Sequence, residues 1–166
     1  NVRKFREYGE VVIACDSKHY WRRDVFSNYK AGRKKGRDAS GHDWTSIFEC
    51  MSKVREELKE NSPYKVIDVY GAEADDVIGV LTKAYGDQPI MILSSDKDFV
   101  QLQTNPNVKQ YSPSMKKFIT TDNPVQQLHE LIIRGDKGDG IPNILSPDNA
   151  FIDNIRQKPI TEKFLR

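Results

Sequence analysis

The chain has 166 residues, 37% apolar and 30% charged, enough for one folded core beneath a heavily charged surface. No apolar run approaches the roughly 18 residues that a membrane span needs, and no apolar signal-peptide core follows the basic opening Asn1-Val2-Arg3-Lys4-Phe5-Arg6. The net charge of +2 conceals segregation: eight basic residues lie between Lys18 and Arg37 against one acid, Asp24, while acids concentrate elsewhere in short motifs.

The chain opens without Met, in a segment that reads as the middle of a helix, and it stops at Leu165-Arg166 without a tail. A fragment of a longer protein is therefore expected. Val11-Val12-Ile13-Ala14-Cys15 is an apolar run ending at Asp16, the pattern of a buried strand. Between Lys30 and Gly41 the chain is basic and poor in apolar residues, which predicts a mobile loop. Trp44, Ile47, Phe48, Met51, Val54 and Leu58 recur at helical spacing behind Asp43, a potential cap. Trp44, Phe48 and Met51 belong most simply in the core. Val66 to Tyr70 predicts a second strand. Val77, Ile78, Val80, Leu81, Ala84 and Tyr85 predict a helix running from near Glu73 to near Gly86.

Pro89 to Leu93 predicts a third strand, leading into Ser94-Ser95-Asp96, and a short helix through Phe99 to Leu102 follows. Val108 to Tyr111 and Lys117 to Thr120 read as a hairpin. Val125 to Arg134 reads as a helix, followed by a Gly-rich turn and a helix beginning at Ser146-Pro147. Alternating strands and helices imply an α/β domain with a mostly parallel sheet. Ligands in such sheets bind beyond the carboxyl ends of the strands, where Asp16, Glu73 and Asp96 fall. Cys15 and Cys50 are far apart in apolar contexts, so both are expected as reduced core residues of an intracellular protein. His19, His42 and His129 are scattered and read as surface or helix residues. Tyr20 and Trp21 either stack on a base or are buried beneath the basic segment.

Four acidic motifs remain: Asp16; Glu73-Ala74-Asp75-Asp76; Asp96-Lys97-Asp98; and Asp136-Lys137-Gly138-Asp139. Each admits a plain local role. Acids favour helix starts, and Asp favours turns. If they converge, their like charges need compensation. Divalent cations supply it, and an all-oxygen donor set suits Mg²⁺ or Mn²⁺ rather than zinc. Two such ions about 4 Å apart stabilise both the attacking and the leaving oxygen of a phosphodiester. Cations for a phosphate backbone and carboxylates for metals are the pairing that a nucleic-acid enzyme requires.

These motifs, together with Ala14-Cys15-Asp16, Tyr20-Trp21-Arg22-Arg23, Tyr29-Lys30, Ser94 to Phe99, Val108 to Pro113 and Gly135 to Pro142, resemble the 5′-nuclease (flap endonuclease) superfamily, the phage ribonuclease H type above all. The resemblance implies a PIN-like catalytic domain over 1–122, with helices flanking the sheet, and the start of a helix-hairpin-helix DNA-binding region over 123–166. It also implies that a first strand, bearing one more ligand aspartate, is missing.

By the same resemblance, one Mg²⁺ is held by Asp16, Glu73, Asp75 and Asp96, and a second by Asp98, Asp136 and Asp139. Asp76 acts through water or a neighbour. Mn²⁺ substitutes for Mg²⁺. Lys30 and Arg33 form the catalytic basic pair over the scissile phosphate. Arg22, Arg23, Lys34 and Lys35 bind the backbone. Gly138 and Gly140 belong to a hairpin whose backbone grips duplex phosphates, with K⁺ as a candidate ion. The implied substrate is DNA or RNA/DNA hybrid with a 5′ end or flap, cut during phage replication in the cytoplasm of an infected bacterium. A monomer is implied, with a single-strand-binding protein and a sliding clamp as candidate partners. The isolated fragment is expected to be weak or inactive.

Two other readings compete. In one, the chain binds branched DNA without cutting it. In the other, Asp96-Lys97-Asp98-Phe99-Val100 is the nucleophile motif of a haloacid-dehalogenase-type phosphatase, although that motif should open a domain. A small ribonuclease domain acting on single-stranded RNA would not need the Gly135 hairpin. Neither G-x-x-x-x-G-K-[ST] nor G-x-G-x-x-G occurs.

Overall fold

The computed structural model describes residues 2–164, and these divide into two compact units. The first comprises residues 2–20 and 55–128, the second 21–54 and 129–164. In chain order the elements are β1 (Val12–Cys15), α1 (Arg22–Val25), α2 (Gly32–Ala39), α3 (Trp44–Asn61), β2 (Lys65–Asp68), α4 (Ala74–Ala84), β3 (Ile90–Leu93), β4 (Val108–Ser112), β5 (Lys117–Ile119) and α5 (Pro124–Arg134). Short 3-10 segments cover Val2–Tyr8, Lys97–Thr104 and Glu162–Phe164.

All five strands belong to the first unit. β1 pairs with β2 in parallel, with Val12 opposite Lys65 and Cys15 opposite Asp68. β3 pairs with β4 in parallel, and β4 turns back on β5 in the expected hairpin. The described strands thus make two sheets, of two and three strands, rather than one. Ile92, Phe99 and Val108 are buried together, with Ile78, Ile90 and Leu102 packed around them. Phe5 joins Tyr111 and Phe118 in edge-on ring contacts at 4.9 and 5.9 Å. That ring cluster fastens the Val2–Tyr8 segment to the β4–β5 hairpin.

The second unit holds α1, α2, most of α3 and the Gly-rich turn after α5. Three expectations change there. The basic stretch expected to be a loop is helical across α2, because Arg, Lys and Ala are good helix formers even without an apolar face. On α3, Phe48 and Met51, expected in the core, face solvent at 48 and 63%, and Val54 on the same stripe is 52% exposed. Helical periodicity identifies an apolar stripe but not the element that covers it. Cys50, on the same helix, is likewise exposed rather than buried, while Cys15 is half-buried; both are free thiols.

The helix expected from Ser146 is instead a run of turns. Ala150 N–H donates to Pro147, Asp153 to Asn149 and Ile155 to Ala150, a mixture of spacings that no single helix type repeats. Asn154, at φ 55°, breaks any continuation. No helix among the described residues is long and apolar enough to cross a membrane.

Candidate functional site

In the first unit, carboxylates collect where strands end and helices begin. β1 delivers Asp16 beyond its last paired residue. The following backbone is tied alongside the approach to α4: Ser17 N–H donates to the Ala72 carbonyl at 3.0 Å, and Tyr20 bridges Gly71. Asp16 Oδ1 accepts from Ala74 N–H at 2.8 Å, at the first residue of α4. Glu73 is the N-cap of that helix and only 2% exposed. It forms a capping box with Asp76: the Glu73 side chain takes the Asp76 N–H, and Asp76 Oδ2 takes the Glu73 N–H at 2.9 Å. Asp16, Glu73 and Asp76 are therefore brought to one helix start, 57 residues of chain apart at the widest step from Asp16 to Glu73. Asp75 lies exposed on the first turn.

The second group follows β3. Asp96 caps the 3-10 segment that carries Asp98, with Asp96 Oδ1 accepting from Asp98 N–H at 2.9 Å. Ser94 Oγ accepts from Asp96 N–H at 3.1 Å, and Gln101 Nε2 donates to the Asp98 carbonyl at 2.8 Å. The two carboxylates thus sit on a tightly bonded turn.

In the second unit, Asp136, Lys137, Gly138, Asp139 and Gly140 form a closed turn. Asp136 and Ile141 exchange backbone hydrogen bonds, both at 2.8 Å, and Asp136 Oδ1 accepts from Asp139 N–H at 3.1 Å. Gly135 enters this turn at φ +68°, with the Pro142 carbonyl oxygen 2.5 Å from where a Cβ would lie. Only glycine fits there.

The basic pair meets this turn directly. Lys30, buried and at φ 56°, donates its backbone N–H to the Asp139 carbonyl at 2.7 Å. Its Nζ lies 4.0 Å from Asp139 Oδ1. Arg33 Nη2 reaches the same oxygen at 2.5 Å, and its Nε donates to the Gly138 carbonyl at 3.3 Å. Tyr29 hydroxyl donates to Asp139 Oδ2 at 3.1 Å. A non-glycine residue held at positive φ by surrounding bonds is the kind of strain that functional sites retain. Gly140, at φ +73°, leaves room for this approach, since a Cβ there would stand 3.0 Å from the Asn28 carbonyl.

Lys34 and Lys35 are exposed on α2, Arg23 is exposed on α1, and the Arg22 guanidinium lies over the Trp21 ring at 4.8 Å. Of the eight candidate acids, six belong to the first unit and Asp136 and Asp139 to the second. Among the described residues, no three His, Cys, Asp or Glu side chains are grouped as closely as a bound metal requires. The donor chemistry nonetheless fits a hard divalent cation: Asp16, Glu73 and Asp96 each offer carboxylate oxygens. Sequence reasoning gave no role to Tyr29 or Gln110, though both lie inside motifs it singled out. Tyr29 is 5% exposed and Gln110 1%. Nothing in the β4 sequence marked Gln110 out, since Lys109 and Ser112 on the same strand are also polar.

A family model described as the 5′-3′ exonuclease N-terminal resolvase-like domain matches residues 1–130. Ribonuclease H of Enterobacteria phage T4 is 40% identical over 152 residues, covering 87% of this chain and 50% of that protein. Flap endonuclease Xni of Shewanella woodyi is 32% identical over 160 residues, covering 89% of this chain and 60% of that one. The chain therefore spans about half the length of the curated relatives it matches. Among solved structures, the T5 D15 protein co-crystallised with metal ions superposes with a TM-score of 0.73 at 17% identity, over 99% of this chain and 73% of that one. The T5 D15 flap endonuclease, crystallised as a pseudo-enzyme-product complex with DNA and metal ions, gives 0.72 at 18% identity over 99% and 71%. These likenesses bear out the expected α/β fold, and the family match sets aside the phosphatase reading. The chain belongs to the 5′-3′ exonuclease N-terminal, resolvase-like domain family.

Proposed function

We propose that this chain is the catalytic part of a divalent-metal-dependent 5′-nuclease that hydrolyses phosphodiester bonds near the 5′ ends or flaps of DNA and RNA/DNA hybrids. The observation that carries the proposal is the meeting of Asp16 with the Glu73–Asp76 capping box at the start of α4, where the helix N-terminus adds positive potential. Asp16, Glu73, Asp75 and Asp96 would hold a metal ion, with Asp76 fixing Glu73 and Asp98 on the adjoining turn. Asp136 and Asp139 are proposed as further metal ligands from the family resemblance. Bound there, Mg²⁺ or Mn²⁺ would supply Lewis-acid activation of water and charge neutralisation at phosphorus, with two ions as the fuller form of the proposal.

The chain's own groups do the rest. Lys30 and Arg33 present cations to a phosphate, and the Asp139 bonds hold both against the turn. Arg22, Arg23, Lys34 and Lys35 attract the backbone without reading sequence. The backbone of the turn at Gly138 and Gly140 contacts duplex phosphates, where K⁺ is the candidate ion. The phage T4 relative carries the name ribonuclease H, which supports a nuclease reading for this chain; we further propose a replication role in an infected bacterial cytoplasm, as a monomer beside a single-strand-binding protein and a clamp. The two T5 structures described with metal ions, one of them with DNA, support the metal and the substrate class.

The test is cleavage of a 5′-labelled flap by the purified chain with Mn²⁺, with Mg²⁺ and with EDTA. Slow, EDTA-sensitive release of short 5′ products is expected, lost in Asp96→Asn and Glu73→Gln. Cleavage that persists in EDTA, or that survives both substitutions, refutes the proposal. A second reading, binding of branched DNA without cleavage, draws on the engagement of Asp139 by Arg33 and Tyr29. Tight flap binding with no Mn²⁺ affinity would favour it.

A further inference from the structure

We propose that Gln110, backed by Ser112, is a positioning residue for the turn that carries Asp96 and Asp98. The inference rests on the metal-nuclease reading above. β3 and β4 run in parallel register from Ile90 opposite Val108 to Leu93 opposite Tyr111, and the ladder closes with Ser94 N–H on the Tyr111 carbonyl. Past that point the turn leaves the sheet, and its carbonyls need other donors.

The Gln110 side chain supplies them. Its Nε2 donates to the Ser94 carbonyl at 3.0 Å and to the Asp96 carbonyl at 2.6 Å, while its Oε1 accepts from Gln103 at 3.5 Å. Two residues along β4, and so on the same face, Ser112 Oγ lies 2.7 Å from Ser95 Oγ, which also meets Ser114 at 2.8 Å. Gln110 and Ser112 are the largest fully buried side chains, at 1 and 0% exposure, and both are polar. An apolar residue would fill either position more simply, since burial of an amide is unfavourable unless its hydrogen bonds are made. Here they are made to the backbone of the turn. Residues 94 to 96 are thereby fixed at consecutive points, and the Asp96 carboxylate in turn fixes Asp98 through its N–H. The partners behind a ligand govern its orientation, and losing one typically weakens metal binding by about 10–100-fold.

The test is calorimetric titration of the 166-residue chain with Mn²⁺, beside Gln110→Met, Ser95→Ala and Glu73→Gln. Gln110→Met keeps the length and removes both donors. It is expected to bind Mn²⁺ about 10-fold or more weakly while its far-UV spectrum stays native, with a smaller loss in Ser95→Ala. A folded Gln110→Met with unchanged Mn²⁺ affinity overturns the inference. Should Gln110→Met fail to fold, unchanged affinity in Ser95→Ala overturns it, since that change loosens the turn without altering the strand core. If the unsubstituted chain binds no Mn²⁺, or binds it equally well as Glu73→Gln, the metal reading fails and the inference with it.

Discussion

Replacing Gly135 with alanine should damage the second unit more than any other glycine-to-alanine change in it. The residue sits at φ +68°, where an L side chain is strained by about 1–2 kcal/mol. Its Cβ would stand 2.5 Å from the Pro142 carbonyl oxygen and 2.6 Å from the Pro142 carbonyl carbon, both backbone atoms that cannot rotate away. Overpacking of this kind adds about 1–3 kcal/mol, so the expected loss is about 2–5 kcal/mol. Gly140, at φ +73° with its nearest atom at 3.0 Å, should lose less, about 1–2 kcal/mol. Gly36, inside α2 with nothing within 4 Å, should gain about 0.5–1 kcal/mol as alanine. Trp21 and Trp44 are the only tryptophans and both lie in the second unit, so urea unfolding followed by tryptophan fluorescence reports on it. At a slope of about 2 kcal/mol per molar urea, a 3 kcal/mol loss moves the midpoint by about 1.5 M. A Gly135→Ala chain within about 0.5 kcal/mol of the parent would show that the turn does not depend on this close approach.

Arg33→Ala should cost at most about 1 kcal/mol of stability, because the guanidinium is half exposed and solvent screens the ion pair. Flap cleavage should fall about 10²–10³-fold if Arg33 faces the phosphate; urea unfolding and flap cleavage measured on the same preparation separate the two. Asp43 accepts from Ser46 hydroxyl and then Ser46 N–H, and both hold its carboxyl below the usual 3.8. The sign follows: its contribution to α3 is complete above the usual value and is lost as pH falls through the folded one. Helicity measured from pH 5 to about pH 2 should therefore fall less steeply in Asp43→Asn, and an identical acid profile would count against this cap. Burial pushes the Cys15 thiol above the usual 9.0. Iodoacetamide at mildly alkaline pH should thus label exposed Cys50 first, as peptide mapping will read. Preferential labelling of Cys15 would refute its burial.

What was legible in the sequence follows from local pattern. β1, β2 and β3 are short apolar runs that stop at or shortly before acids, and α4 is an amphipathic helix that starts at its capping glutamate. Each could be read because its apolar pattern and its terminal residue agree. The Gly135 turn was legible because its glycines and aspartates permit little else. α2 was not, because helix propensity is a weak signal when no apolar face accompanies it. Its register also depends on Arg33 bonding to Gly138 and Asp139, more than 100 residues away. The α3 stripe and Cys50 mislead in the opposite sense: apolar spacing is visible locally, but whether anything covers it is not.

The candidate acids raise a sharper point. Read singly, each had a plain explanation as a cap or turn former, and the structure gives several of them that role. Asp16 holds Ala74, Asp76 and Glu73 cap α4 reciprocally, Asp96 holds Asp98, and Asp136 holds Asp139. These roles do not compete with metal binding. A carboxylate has two oxygens and about four lone-pair positions. A backbone N–H on one of them leaves acceptor capacity for a cation and also fixes the direction in which the other oxygen points. Helix starts and tight turns are where backbone donors lack partners, so acids placed there are oriented by the fold before any ligand arrives. The capping residues are for that reason the ones to substitute with amides, Glu73→Gln and Asp96→Asn, since an amide oxygen can still accept the backbone N–H while the charge that would draw a divalent ion is gone. Loss of Mn²⁺ affinity with the helix start intact would separate the two roles; Mn²⁺ affinity that survives both substitutions would mean that the carboxylates serve structure alone.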